Sequence, residues 1–119
     1  MRFSRSRGDG GMVTAELAAC LPVLVLLLAV AVSAVTAANA RVRVQDAARE
    51  AARAAARGDQ AAARSLAAQA APGVSVQITV AGDEVVAVAS LRMDLLASWL
   101  PAVTVTERAV AALEPQVPP

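Results

Sequence analysis

From Leu17 to Ala38 the chain presents 22 residues whose only polar side chains are Ser33 and Thr36. As an α-helix rising ~1.5 Å per residue, this run is about 33 Å long. A bilayer core is roughly 30 Å thick, so the segment is long enough to span one with little tilt. Pro22 sits inside the run. It removes an amide donor, which membrane helices tolerate better than soluble ones. A transmembrane helix is expected over residues 12–40.

Beyond Ala40 the period changes. On a helical projection Asn39, Arg43, Asp46, Arg49, Glu50, Arg53 and Arg57 fall in one narrow stripe, and most of the remaining surface is Ala with Val44. This predicts that the helix continues out of the membrane with a thin polar face and a broad, smooth apolar one. Such a face suits packing on other helices or on the chain's own domain. Asp46–Arg49 and Glu50–Arg53 are spaced as i,i+3 ion pairs. The stripe fails at Asp59, where Gly58 suits a helix end and Asp59 a new N-cap. A second helix is predicted over 60–71, stopping before Pro72-Gly73, so residues 41–71 form an extramembrane helical region.

Strict alternation follows: Val74, Val76, Ile78 and Val80 against Ser75, Gln77 and Thr79. That is a half-buried strand. Gly82-Asp83 fits a two-residue hairpin turn with Gly first. The register then opposes Val80 to Val85, Ile78 to Ala87, Val76 to Ala89 and Val74 to Leu91, leaving one face wholly apolar. Val86 and Val88 fall on the other face and are expected to serve as partner surface. Asp94–Leu100 reads as a short amphipathic link, with Trp99 expected to plug the sheet edge; its indole would also suit a membrane interface. Val103–Ala112 reads as a third strand, completing a small β region over 74–112. Residues 113–119, rich in Pro, are expected to be a disordered tail. The predicted fold class is α+β and membrane-anchored, with a long N-terminal transmembrane and amphipathic helix packed on a small three-stranded antiparallel sheet.

Composition narrows the chemistry. Hydrophobic residues make up 57 % of the 119 and charged ones 18 %. That is too apolar for an ordinary soluble domain. There is no His and one Cys, which excludes an imidazole base, a His-ligated metal, an internal disulfide and a Cys-rich zinc site. The formal charge of +1 gives no excess for nucleic acid. No Gly-rich phosphate loop or metal-ligand spacing occurs, and Asp83-Glu84 reads as solvated turn residues. No enzyme, cofactor, metal or small-molecule ligand is expected. The charge is uneven, however. Arg2, Arg5 and Arg7 stand against Asp9 in residues 1–11, ahead of the apolar run. The positive-inside rule keeps that end in the cytoplasm and places the rest outside, although Arg41 and Arg43 pull the other way.

An N-terminal apolar segment must also be weighed as a targeting signal. Ala38-Asn39-Ala40 has the pattern of a signal-peptidase site, which would release residues 41–119 as a secreted binding module, or leave a signal-anchored one if uncut; the apolar run is longer than a secretory signal's ~7–15 residues. Leu17-Ala18-Ala19-Cys20 has lipobox-like residues but precedes the apolar run, and Cys20 reads as a small buried hydrophobe. Arg57-Gly58-Asp59 and Arg7-Gly8-Asp9 spell a cell-adhesion tripeptide, explained by a helix boundary and by the leader.

The third signal is Gly11 followed by Met12-Val13-Thr14-Ala15-Glu16. Here the sequence resembles the type IV prepilins: a short basic leader ending in Gly, an apolar helix after it, and a Glu fifth after the cut. The string Gly-Met-Val-Thr-Ala-Glu-Leu-Ala at 11–18 is most similar to the TadE-like proteins of tight-adherence (Flp) pilus systems. Major pilins of those systems are shorter and usually carry Glu-Tyr where this chain has Glu16-Leu17, which points to a minor pilin. The resemblance implies a pilin-like fold, removal of residues 1–11 by a prepilin peptidase cutting between Gly11 and Met12, and use of Glu16 in assembly. A carboxylate in an apolar span is costly; its implied partner is the free amine of Met12 on a neighbouring subunit, although by itself Glu16 also reads as a first-turn residue favoured by the helix dipole and snorkelling to headgroups. Implied partners are the peptidase, other pilin subunits, the membrane assembly platform with its ATPase, and the lipid bilayer. A secretion-system pseudopilin differs in system more than in chemistry. The expected location is the cytoplasmic membrane, single-pass, or an extracellular pilus.

Overall fold

The computed structural model describes residues 8–115. In chain order the elements are α1 (Gly8–Ala56), α2 (Gln60–Ala70), β1 (Ser75–Ala81), β2 (Glu84–Met93) and β3 (Val103–Ala112). The chain divides into two compact units between Ala34 and Val35.

The first unit is helix only. Among the described residues α1 is the one helix long and apolar enough to cross a membrane. Its apolar side chains face outward all round: Leu24 to Leu28 are each more than half exposed. A helix hydrophobic on every side needs a surrounding apolar medium. The helical assignment runs through Pro22 without a break. Ser33 answers the apolar setting by donating its hydroxyl to the Ala29 carbonyl at 2.7 Å, so that polar group is satisfied within the helix.

The second unit builds its core on the remainder of α1. The predicted polar stripe is solvent-facing, and the opposite face is buried. Val44 and the alanines at 47, 48, 51, 52 and 54 to 56 join Ala63 and Ala67 of α2, Ala71, and Val85, Ala87 and Ala89 of β2 in one cluster. Val44 and Val85 are its largest fully buried side chains. Bulkier residues sit around this small-residue centre and are only partly buried, among them Leu66, Ile78, Leu91, Val105 and Leu113.

Local chemistry sets the boundaries. Gly58 adopts φ +86°. Its amide donates to the Ala55 carbonyl at 2.9 Å, and the Asp59 amide to the Ala54 carbonyl at 3.1 Å. That is the Schellman closure of a helix, and it needs a left-handed residue at the Gly58 position. Asp59 then caps α2 by accepting from the Ala62 amide at 2.9 Å. The sheet is antiparallel in the order β1-β2-β3. Its hairpin register is the predicted one: Val80 opposes Val85, Ile78 opposes Ala87 and Val76 opposes Ala89. Gly82, at φ +62°, takes the first turn position, which matches a type II′ turn. β3 has the predicted limits.

Three expectations change. Trp99 does not plug the sheet edge; it is 81 % exposed. The link carrying it forms no helix, and it lies beyond the last strand pair, Met93 with Val103, where no element of this unit covers it. Glu50–Arg53 forms as an ion pair at 3.7 Å, whereas Asp46–Arg49 does not close. The chain is also not free from residue 113. The Leu113 amide donates to the Asp83 carbonyl at 2.7 Å and the Glu114 amide to the Ala56 carbonyl at 3.1 Å. Residues 116–119 of the expected tail lie outside the described residues.

Two substitutions test this core in the full chain held in detergent micelles. Ala51→Leu forces a larger side chain into a fully buried site and is expected to cost about 1–3 kcal/mol of the extramembrane unit's stability in denaturant unfolding. Asp59→Ala removes the α2 cap and should cost about 0.5–2 kcal/mol, with Asp59→Asn close to wild type.

Candidate functional site

Residues 1–7, including three cations of the expected leader, lie outside the described residues. Gly11, Met12 and Glu16 all lie on α1 and are exposed, Met12 at 69 %. The structure brings them together only as sequence neighbours on one helix, within two turns. Thr14 donates its hydroxyl to the Gly10 carbonyl at 2.9 Å, one turn earlier.

Folding gives no reason for glycine here. A Cβ added at Gly10 or Gly11 would meet nothing within 4 Å, and neither has a positive φ. Each costs the helix about 1 kcal/mol relative to Ala. The pair therefore weakens the start of α1 without any packing return, and lowers the cost of unwinding the chain around the Gly11–Met12 bond. Glu16 sits one residue before the apolar run, and no cation among the described residues pairs with it. Its charge is left at the mouth of the span. Cys20 is an exposed free thiol on the span, not a buried one.

A second polar feature lies in the other unit. Arg41 donates from Nε to Oε1 of Glu107 at 2.7 Å. The Arg41 side chain is 74 % exposed and Glu107 only 18 %. Glu107 stands opposite Ala89, on the inward face of the sheet, and breaks that face's apolar row. Its sequence signal was the alternation Val103, Val105, Glu107, Ala109, Ala111: a carboxylate at an inward position implies a cation on whatever covers the face. Next to this pair, Thr36, Asn39, Ala40 and Arg43 of α1 and Leu91 and Met93 of β2 line a groove of about 260 Å³. Among the described residues no cluster of His, Cys, Asp or Glu could hold a metal.

Comparison with known proteins settles the family. The TadE-like protein family model matches residues 11–53, starting at Gly11 and taking in the whole apolar run. The chain is 41 % identical over 101 residues to the apoptosis inhibitor Rv3655c of Mycobacterium tuberculosis, an alignment covering 84 % of this chain and 78 % of that protein. The chain belongs to the TadE-like family. It is a pilin-like protein associated with Tad pilus systems, anchored in a membrane by the apolar helix. TadE-like pilus proteins are structural components rather than enzymes, and they interact with other pilus components. No solved structure matches the chain.

The Arg41–Glu107 pair is mostly solvated on the arginine side, so its net value is small. In a double-mutant cycle, Arg41→Ala and Glu107→Gln should couple by about 0–1 kcal/mol in unfolding of the micelle-bound chain. Molar salt should reduce that coupling.

Proposed function

We propose that this TadE-like protein is a minor pilin, trimmed between Gly11 and Met12 by a prepilin peptidase and then used as a subunit in assembling a tight-adherence pilus. The observation that carries this reading is the arrangement at the head of α1. Two glycines that the fold does not need stand directly before an apolar, outward-facing helix, and a carboxylate follows five residues after the cut. Trimming there leaves the helix intact and frees the Met12 amine. Glu16, unneutralised among the described residues, is then a charge for the amine of a neighbouring subunit to meet. Burial of both in the bilayer favours their pairing. Arg2, Arg5 and Arg7 support an orientation with residues 1–11 in the cytoplasm and the β region outside. The remaining partners are the peptidase, other pilins, and the membrane platform with its ATPase.

The relative named for apoptosis inhibition supports a second reading, in which residues 41–119 are released after Ala40 and act outside the cell. The first is preferred because α1 runs unbroken through residues 38–40, and Ala40 is already buried in the extramembrane unit.

N-terminal sequencing of the membrane-bound protein separates the two readings. A start at Met12 supports trimming, a start at Arg41 defeats it, and an intact Met1 leaves an untrimmed anchor. Gly11→Ala should block trimming, whereas Glu16→Ala should be trimmed normally and lose assembly. On the outer sheet face Val86 and Val88 are half-buried and Val110 is 49 % exposed, an apolar strip available to a neighbouring subunit. The variant with Val86→Asp and Val88→Asp should reach the membrane yet fail to assemble, as scored by pilus yield.

A further inference from the structure

Among the described residues the most exposed large hydrophobic side chain is Trp99, at 81 %, and Leu96, three residues before it, is 52 % exposed. Both lie on the link between β2 and β3, with Leu95 and Leu100 half-buried nearby in the chain. An indole left in water within a small unit asks what covers it.

The sheet's direction along α1 gives the answer. At one end, the Glu114 amide bonds the Ala56 carbonyl. Towards the other, Glu107 bonds Arg41. From residue 41 to 56 a helix advances about 22 Å, and from 107 to 114 a strand advances about 23 Å. The two spans agree, and residue numbers rise together along both, so β3 runs alongside this stretch of α1 in the same sense. Val103 then lies about 13 Å beyond Glu107, towards the N-terminal end of this stretch of α1. The groove lined by Thr36, Asn39, Leu91 and Met93 places the end of β2 at the same level. Thr36 lies two residues before Ala38, where the apolar run ends, so this is the end of the unit at which the chain enters the bilayer. The link 94–102 leaves the sheet there, beyond Met93 and Val103.

We propose that the β2–β3 link is a second membrane contact, seating Trp99 and Leu96 in the headgroup–acyl boundary of the same bilayer that α1 crosses. The inference rests on the reading of α1 as a bilayer span. The depth follows from the chemistry of the link. Its backbone closes one turn bond, Leu100 amide to Ala97 carbonyl at 3.1 Å, and forms neither helix nor strand. Hydrocarbon does not accept such a backbone, whereas the hydrated interface does. Trp is the residue type that this zone favours, with its ring in the acyl boundary and its N–H among headgroups. Asp94, Ser98 and Pro101 suit the same level.

The chain supplies its own probe, because Trp99 is the one tryptophan and there is no tyrosine. The full-length protein is reconstituted at low protein-to-lipid ratio into vesicles of phosphatidylethanolamine and phosphatidylglycerol, with or without phosphatidylcholine brominated on its acyl chains. The expected result is a blue-shifted Trp99 emission, quenched most by bromines placed near the headgroup and little by aqueous iodide. Strong iodide quenching with no effect of bromolipid would place Trp99 in water and overturn the proposal. Protection from both quenchers would place it against protein, a second copy included, and would overturn it equally. Carbonate extraction of the same vesicles reports on α1 independently. Protein retained in the vesicles with an iodide-accessible Trp99 refutes the link alone; protein that is extracted refutes the span on which the link depends.

Discussion

The extramembrane unit depends on one buried surface, the alanine face of α1 from Val44 to Ala56. Everything else in the unit is arranged to cover it. The centre of the core is Ala apart from Val44 and Val85, and each alanine brings little apolar area. At roughly 25 cal/mol per Å² of apolar area buried, such a centre contributes less than one built from Leu or Ile. Much of the burial energy must come from the partly covered rim of Leu66, Ile78, Leu91, Val105 and Leu113. A core with a smooth centre and bulky rim tolerates little added volume in the middle. Most of the cluster's alanines come from α1, so withdrawing the helix would open the core around β2.

The same helix, by covalent continuity, is the membrane anchor. Selection on residues 44–56 for packing and on residues 17–38 for lipid solubility therefore acts on one uninterrupted element. The seam shows in the sequence as a change from outward Leu and Val on every side to a polar stripe backed by Ala. The β region is fastened along this helix at two levels by different means. At its far end, backbone amides of residues 113 and 114 close onto Asp83 and Ala56. Nearer the span, a side-chain ion pair joins Arg41 to Glu107. Backbone closure does not depend on side-chain identity, whereas the ion pair specifies which inward position of β3 meets which turn of α1.

Most of the extramembrane fold was legible because its signals are local. Gly58-Asp59 encodes a helix end and a new cap within two residues. Gly82-Asp83 fixes the hairpin, and a period-two pattern of Val and Ile then permits one register with an apolar face. What the sequence hid was tertiary. The Arg41–Glu107 contact joins residues 66 apart and is invisible to any window. The apolar ring of Trp99 suits a plug under the sheet edge, yet its position is set by where β2 ends and β3 begins. The anchoring of Leu113 and Glu114 likewise depends on Ala56 arriving beside the strand end, which no tail composition reveals. At the N-terminal head of α1 the motif was legible as a family pattern, and the structure adds that the fold itself makes no demand on it.

That absence of a folding demand bears on how the two polar sites should be weighed. A residue retained for stability leaves a mark in the structure: burial, a closed hydrogen bond, or a backbone angle only it can adopt. Gly58 and Asp59 carry such marks. Gly11 does not: it is exposed, has open space where a Cβ would stand, and lowers helix propensity at its position. Glu16 places a charge at the edge of a hydrocarbon-compatible helix without any described cation beside it. A glycine with no conformational or packing role and, five residues on, a carboxylate with no described cation beside it find no partner in the isolated chain. Under the proposed function their cost would be offset in another state, with a protease on the chain or a second subunit beside it. This is the physical ground on which the proposal of processing at Gly11 and assembly through Glu16 rests.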